Sequence, residues 1–258
     1  MADERALSFP SSALADTVAA VDLLALALDR RQRPLALSLA LGIPASLWQK
    51  GCVMLYGFVG PSRAGKTTLA RKVSEELAME FHPTSTSKVA KDHGYDLMAP
   101  LSLADRVAVQ NILLDNHIKE LETLPRPLLI DRTPVDYLGY LLAEFNMTSG
   151  QAASPATLDA AHDCAERCMS AASRYYDFLY YLAPLPFYKE EEGKHSANRA
   201  FQKHSALLMR GALSELQRSV NVAYINETDL NNRIDFVTGH LIGRIDEIDK
   251  QRYSAHYH

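Results

Sequence analysis

Gly60-Pro61-Ser62-Arg63-Ala64-Gly65-Lys66-Thr67 is a complete G-x-x-x-x-G-K-[ST] stretch, and it directly follows the apolar run Val53-Met54-Leu55-Tyr56-Gly57-Phe58-Val59. The order is that of a buried strand, a tight loop and a helix, since Thr68-Leu69-Ala70-Arg71-Lys72-Val73-Ser74-Glu75-Glu76-Leu77 has helical periodicity. Two glycines let successive backbone N–H groups turn inward around phosphate oxygens. Lys66 can reach the β- and γ-phosphates, and the Thr67 hydroxyl suits Mg²⁺. A helix starting near Lys66 points its positive end at the same anion. A plain glycine-rich turn would account for the glycines but not for Lys66 followed by Thr67 and Thr68. The expected ligands of residues 60 to 68 are therefore the phosphates of a nucleoside triphosphate, ATP or GTP, and Mg²⁺.

Strands and helices alternate outward from this loop, which calls for a parallel sheet covered on both faces. A short second strand is expected over Met79-Glu80-Phe81-His82 and a third over Leu128-Leu129-Ile130-Asp131. A fourth is Phe178 to Leu182 and a fifth Val220 to Ile225. Ser102-Leu103-Ala104-Asp105 reads as a capping box opening a helix to about Leu124, where Pro125 and Pro127 stop it. Thr133-Pro134 and Ser154-Pro155 open two more helices. Another is expected from about Asn198 to Arg218, and a last one ends near Ile248. Residues 1–50 form an N-terminal helical extension, with Leu14, Val18, Val21, Leu24 and Leu28 at helical spacing; residues 51–258 form the main domain.

The chain has 258 residues, enough for one substantial core, and its 47% hydrophobic and 22% charged residues describe an ordinary globule. No apolar stretch reaches the length of a membrane span. Asp3, Glu4, Asp16, Asp22 and Asp29 interrupt the Ala- and Leu-rich start, unlike a secretory signal. Three cysteines, Cys52, Cys164 and Cys168, make no even disulfide framework and no zinc pattern. Buried thiols in a reducing, cytoplasmic setting are expected. A net charge of −4 argues against a broad nucleic-acid-coating surface while leaving room for a local basic groove.

Ligands of parallel sheets sit beyond the carboxyl ends of the strands, which directs attention to the residues following each one. Asp131 ends the third strand, placed to hold Mg²⁺ or to accept a proton from an attacking hydroxyl; support of the loop by hydrogen bonds is the alternative. Arg132 can clamp a phosphate or the acceptor, or serve a neighbouring carboxylate. Asp136, at the third helical position after Thr133, is well explained as a helix cap. Thr84, Ser85 and Thr86 with Ser87 form a hydroxyl cluster suited to a substrate or simply to a turn. Arg106 and Gln110 share a helix face, where the Gln amide could read a base edge or the two could be surface residues. The charged stretch around 187–200, with Lys189, Lys194 and Arg199, has the composition of a lid that brings cations over a phosphoryl group. The aromatics Tyr175, Tyr176, Phe178, Tyr180 and Tyr181 read as core.

Taken together, the Gly60 to Thr67 loop, the Pro83 to Ser87 turn, Arg106 with Gln110, and Ile130-Asp131-Arg132-Thr133-Pro134-Val135-Asp136 resemble the P-loop kinases of bacteriophages, a group similar to nucleoside and nucleoside monophosphate kinases. The resemblance covers residues 52 to 248. It implies five parallel strands flanked by helices, a lid near 187–200, and transfer of the ATP γ-phosphoryl to a hydroxyl of a nucleoside-type acceptor. Within the group it further implies 5-hydroxymethyluracil in phage DNA as the first acceptor to consider, narrowly ahead of a free deoxynucleoside or its monophosphate. Such kinases place an acidic base at the end of the second strand. This chain has His82-Pro83-Thr84 there, so Asp131 inherits the role by position. The rival expectation is an NTP-hydrolysing switch acting through a protein partner. The acceptor is the expected partner, with no membrane involved, and the oligomeric state is open.

Overall fold

The apolar runs pair into one parallel sheet, described by a computed structural model over residues 54–147, 153–186 and 198–256, the side chains at 146–147 and 246–256 excepted. The extension assigned to residues 1–50, Cys52, and lid residues 187–197 with Lys189 and Lys194 lie outside the described residues. The strands are β1 (Leu55–Val59), β2 (Glu80–His82), β3 (Leu128–Ile130), β4 (Phe178–Leu182) and β5 (Asn221–Ile225), in the order β2-β3-β1-β4-β5. All pairings are parallel: Tyr56 aligns with Leu129 on one side and Phe178 on the other, and Phe81 with Leu129. Every residue of β1, β3 and β4 is buried, as interior strands of a parallel sheet must be, whereas edge strands β2 and β5 are partly exposed.

Seven helices are present among the described residues: α1 (Lys66–Leu77), α2 (Thr86–Asp92), α3 (Leu103–Thr123), α4 (Pro134–Met147), α5 (Pro155–Tyr175), α6 (Arg199–Leu216) and α7 (Leu230–His256). Three of them, α3, α5 and α6, start at side-chain caps that the sequence announces. Ser102 accepts the Asp105 N–H at 3.1 Å, Ser154 that of Thr157 at 3.2 Å, and Asn198 that of Phe201 at 2.9 Å. Two elements differ from expectation. The stretch read as a hydroxyl-rich turn continues into α2, held by its one buried residue, Ala90, against the α3–α5 layer. The last helix runs past Ile248 to His256 because no Gly or Pro interrupts residues 249–256.

Side chains alternate across the strands. Leu55, Val59, Leu128, Ile130, Leu179 and Tyr181 pack with α4, α5 and α6 on one face. Tyr56, Phe58, Phe178 and Tyr180 stack on the other, where α7 lays His240 over Phe178 at 4.4 Å. A second cluster joins α2, α3, α4 and α5 and buries Cys164 and Cys168 as free thiols. The chain leaves β1 toward β2 and β3, then returns across β1 to β4 and β5. The crevice beyond the ends of β1 and β3 is thus the topological switch point.

His117 on α3 is 1% exposed, its Nε2 2.8 Å from the Tyr176 hydroxyl and its ring edge-on to Tyr137. Burial, with the nearby His82, outweighs the attraction of Asp131 and lowers its pKa from 6.5 to about 3. The unfolded chain therefore binds a proton below pH 6.5 that the folded chain refuses until about pH 3. Stability should fall on acidification through that window by up to about 1.4 kcal/mol per pH unit from this residue. His117→Gln, measured by urea unfolding between pH 7 and 4, is expected to have the shallower slope; parallel slopes would refute the assignment.

Candidate functional site

Gly60 leaves β1 so close to β4 that a Cβ on it would lie 2.7 Å from the Leu182 carbonyl oxygen, and Gly65 takes φ 86° immediately before α1. Both loop glycines are thus required by shape. Gly65 offers no side-chain cap to α1, so the first N–H groups of that helix are directed at the crevice without one. Lys66 is 7% exposed; its ammonium donates to the Gly60 carbonyl and, at 3.1 Å, to that of Pro61. Thr67 and Thr68 follow it, exposed.

Asp131 stands at the end of the neighbouring strand β3, 5% exposed. Its Oδ2 accepts the Thr67 hydroxyl at 2.6 Å, while its Oδ1 accepts the Thr84 N–H at 3.0 Å and the Thr84 hydroxyl at 2.9 Å. One carboxylate therefore joins the phosphate loop to the segment after β2. Of the hydroxyl cluster, only Thr84 is brought to this centre. Ser85 is exposed at the N-cap position of α2, and Thr86 is the first residue of that helix. The end of β2 carries no acid of its own; His82 instead turns to Glu120 of α3, 3.2 Å away.

The least expected member is Asp136. Its helix-capping part is present: Oδ2 accepts the Thr133 N–H at 3.0 Å and the Thr133 hydroxyl at 2.9 Å. Its Oδ1 reaches farther, to the Gly60 N–H at 3.2 Å and the Lys66 ammonium at 3.3 Å. Fully buried, Asp136 has its pKa raised by desolvation, against which Lys66, Arg132 and the Thr133 bonds pull it down. Local sequence shows only the cap, because the other two partners belong to the loop after β1, Gly60 being 76 residues away in the chain.

Arg132 is half-buried with its guanidinium 5.7 Å over the Tyr140 ring. Desolvation opposes its charge, but Tyr140, Tyr137, Asp136 and Asp131 outweigh it and hold the pKa above its ordinary value. Tyr140 stacks in turn on Phe201 of α6, centroids 6.2 Å apart. The next residue, Gln202, donates its amide to the Ser62 carbonyl at 2.9 Å. Arg199 is exposed at the first position of α6, one turn before Gln202 and on its side of the helix.

Arg106 is ion-paired with Glu144 of α4 at 2.9 Å and also donates to the Leu101 carbonyl at 3.2 Å. Gln110, one turn on, buries its Oε1 without a hydrogen-bond partner. Two further residues touch the phosphate loop without any sequence signal, Gln202 and Arg233. The Arg233 guanidinium is 2% exposed and donates to the carbonyls of Ala64 at 2.7 Å, Ala183 at 3.1 Å and Glu227 at 2.5 Å. Desolvation lowers its pKa, opposed by Glu227. No cluster of three or more His, Cys, Asp or Glu able to hold a metal occurs among the described residues.

Removing one member of a buried charge pair strands the other, so Asp136→Ala should cost about 3–5 kcal/mol. Thr133→Val, which removes only a hydroxyl donor, should cost about 1 kcal/mol. Denaturant unfolding of both variants is the check, and equal losses would deny Asp136 its bond to Lys66.

The chain is similar in fold to deoxyadenosine kinase from M. mycoides with bound dCTP, with a TM-score of 0.54 and 12% identity over 74% of this chain and 100% of that one. It is similar also to thymidylate kinase from Candida albicans, with a TM-score of 0.54 and 15% identity over 76% of this chain and 92% of that one. The five-stranded parallel sheet flanked by helices is thus the P-loop kinase fold. No curated protein matches the chain, and no described helix is long and apolar enough to cross a membrane. The AAA_28 family, an AAA domain, matches residues 56–233, and with more than half of its length matched this chain belongs to that family.

Proposed function

We propose that the protein is an ATP-dependent kinase that transfers the γ-phosphoryl group to a hydroxyl of a nucleoside-type acceptor. The observation that carries this is the 2.6 Å bond between Thr67 and Asp131, made where the loop after β1 meets the end of β3 beside Lys66. A hydroxyl and a carboxylate are hard oxygen donors, the set that suits Mg²⁺ when phosphates and water supply its remaining ligands. Such an ion would supply positive charge against the charge that develops on the transferring phosphoryl group.

In this proposal the loop amides and Lys66 bind the β- and γ-phosphates, and Thr67 with Asp131 holds Mg²⁺. Arg132, kept in place by the Tyr140 ring, orients the acceptor or the transferred group, and Arg199 adds positive charge from α6. The acceptor oxygen attacks the γ-phosphorus, the bond to the β-phosphate oxygen breaks, and the acceptor proton passes to Asp131. Asp131 Oδ1 accepts the Thr84 hydroxyl at 2.9 Å, so in this proposal the acceptor hydroxyl would take the place of that bond. Gln110 and the Arg106–Glu144 pair contribute hydrogen-bonding groups for a base between α3 and α4.

Among acceptors, a free deoxynucleoside or its monophosphate is favoured by the fold shared with deoxyadenosine and thymidylate kinases. 5-Hydroxymethyluracil in DNA, suggested by the resemblance to phage kinases, would have to leave the duplex to reach the crevice. The net charge of −4 also gives less support to broad DNA contact.

Incubation with γ-labelled ATP, Mg²⁺ and a panel of deoxynucleosides, monophosphates and hydroxymethyluracil-containing DNA tests the proposal. Label is expected in a nucleoside or nucleotide product. Lys66→Ala should lower transfer by about 100-fold or more through lost electrostatic stabilisation. Label released solely as inorganic phosphate with every acceptor would instead favour the hydrolytic switch. Label in polymeric DNA would select the DNA base.

A further inference from the structure

We propose that Gln202 and Arg233 are positioning residues that orient the phosphate loop by gripping its carbonyl groups from outside. The inference rests on the nucleotide-binding role proposed above and extends it to two residues of the distant helices α6 and α7. A trans peptide is planar, with its C=O and N–H pointing in opposite directions. Gln202 draws the Ser62 carbonyl toward α6 at 2.9 Å, which turns the Arg63 N–H the other way. Arg233 draws the Ala64 carbonyl toward α7 at 2.7 Å, which does the same to the Gly65 N–H. The orientation of two alternate peptides of the loop is thereby fixed, each by its own helix, and Arg63 and Gly65 take φ 63° and 86°, left-handed conformations of the kind found in anion-binding nests.

Arg233 is chemically suited to this task. Its guanidinium faces three backbone carbonyls, those of Ala64, Ala183 and Glu227, and a planar fork of fixed donors ties the loop to the ends of β4 and β5. An ammonium could satisfy part of that set but not span all of it. Gln202 is 9% exposed, so its amide meets the Ser62 carbonyl from the protein side of an otherwise exposed residue.

Calorimetric titration with ATP and with inorganic tripolyphosphate, on the full chain, tests the inference. Gln202→Met, which keeps length and removes the donor, and Arg233→Lys, which keeps charge and removes the fork, are each expected to weaken both ligands about tenfold. Gln202→Lys, which restores a donor, should recover most of the loss. In turnover, KM for ATP should rise while kcat at saturating ATP and KM for the acceptor stay within about twofold of the parent. A fall in kcat at unchanged KM would mean only a smaller folded fraction and overturn the inference. So would weakening for ATP but not tripolyphosphate, which would place the two residues at the base or sugar. If the parent binds ATP and loses it on Lys66→Ala, yet both variants bind like the parent, this inference alone fails. If the parent binds neither ligand, the nucleotide-binding role fails with it.

Discussion

The buried carboxylate of Asp136 stands where the loop after β1 meets the loop after β3, and the shape of both depends on its bonds. Isolated in a protein interior, a carboxylate costs several kcal/mol, so its oxygens must be occupied. They are, by the Gly60 and Thr133 N–H groups, the Thr133 hydroxyl and the Lys66 ammonium. At 3.3 Å the ionic attraction to Lys66 is worth about 5 kcal/mol for an effective dielectric constant of 20, comparable with the cost of desolvating the pair. The pair adds little net stability. What it adds is position: moving either loop breaks a bond that water cannot replace.

Asp131 repeats this arrangement at the end of β3, before the helix that carries Asp136, with an important difference in the exposure of its partner. Its partner Thr67 is open, whereas Lys66 beside it is buried. The two carboxylates therefore divide the work between an inner tie and an outer face turned toward the crevice. Arg132 lies between them in sequence, steadied by the Tyr140 ring and not by a single ion pair. Phe201 and Gln202, consecutive on α6, then reach opposite sides of the same centre, one behind Arg132 and the other behind Ser62.

How far all this could be read from sequence depended on the range of each interaction. The Gly60 to Thr67 loop was legible because its chemistry lies within eight consecutive residues. Asp131 was legible through topology, as a polar residue ending an apolar strand. The helix starts at Ser102, Ser154 and Asn198 were legible because caps are local. Asp136 was half legible: its bond to Thr133 is local and its bond to Lys66 is not. Arg106 and Gln110 were correctly placed on one helix face, but the arrival of Glu144 from α4 carries no local mark. Gln202 and Arg233 look like any polar residues of amphipathic helices, and only folding reveals what they touch. Short α2 was hidden because one buried alanine leaves no periodicity.

The bond from Arg233 to Ala64 also bears on the chain during its synthesis. Its two ends are 169 residues apart, so the loop leaves the ribosome long before the guanidinium that grips it has been made. At a translation rate of about 5–20 residues per second the interval is roughly 10 to 30 s. A nascent chain in that interval holds the glycines, Lys66 and Thr67 but not the outer restraint on the Ala64 peptide. The restraint on the Ala64 peptide is thus added late to a motif made early.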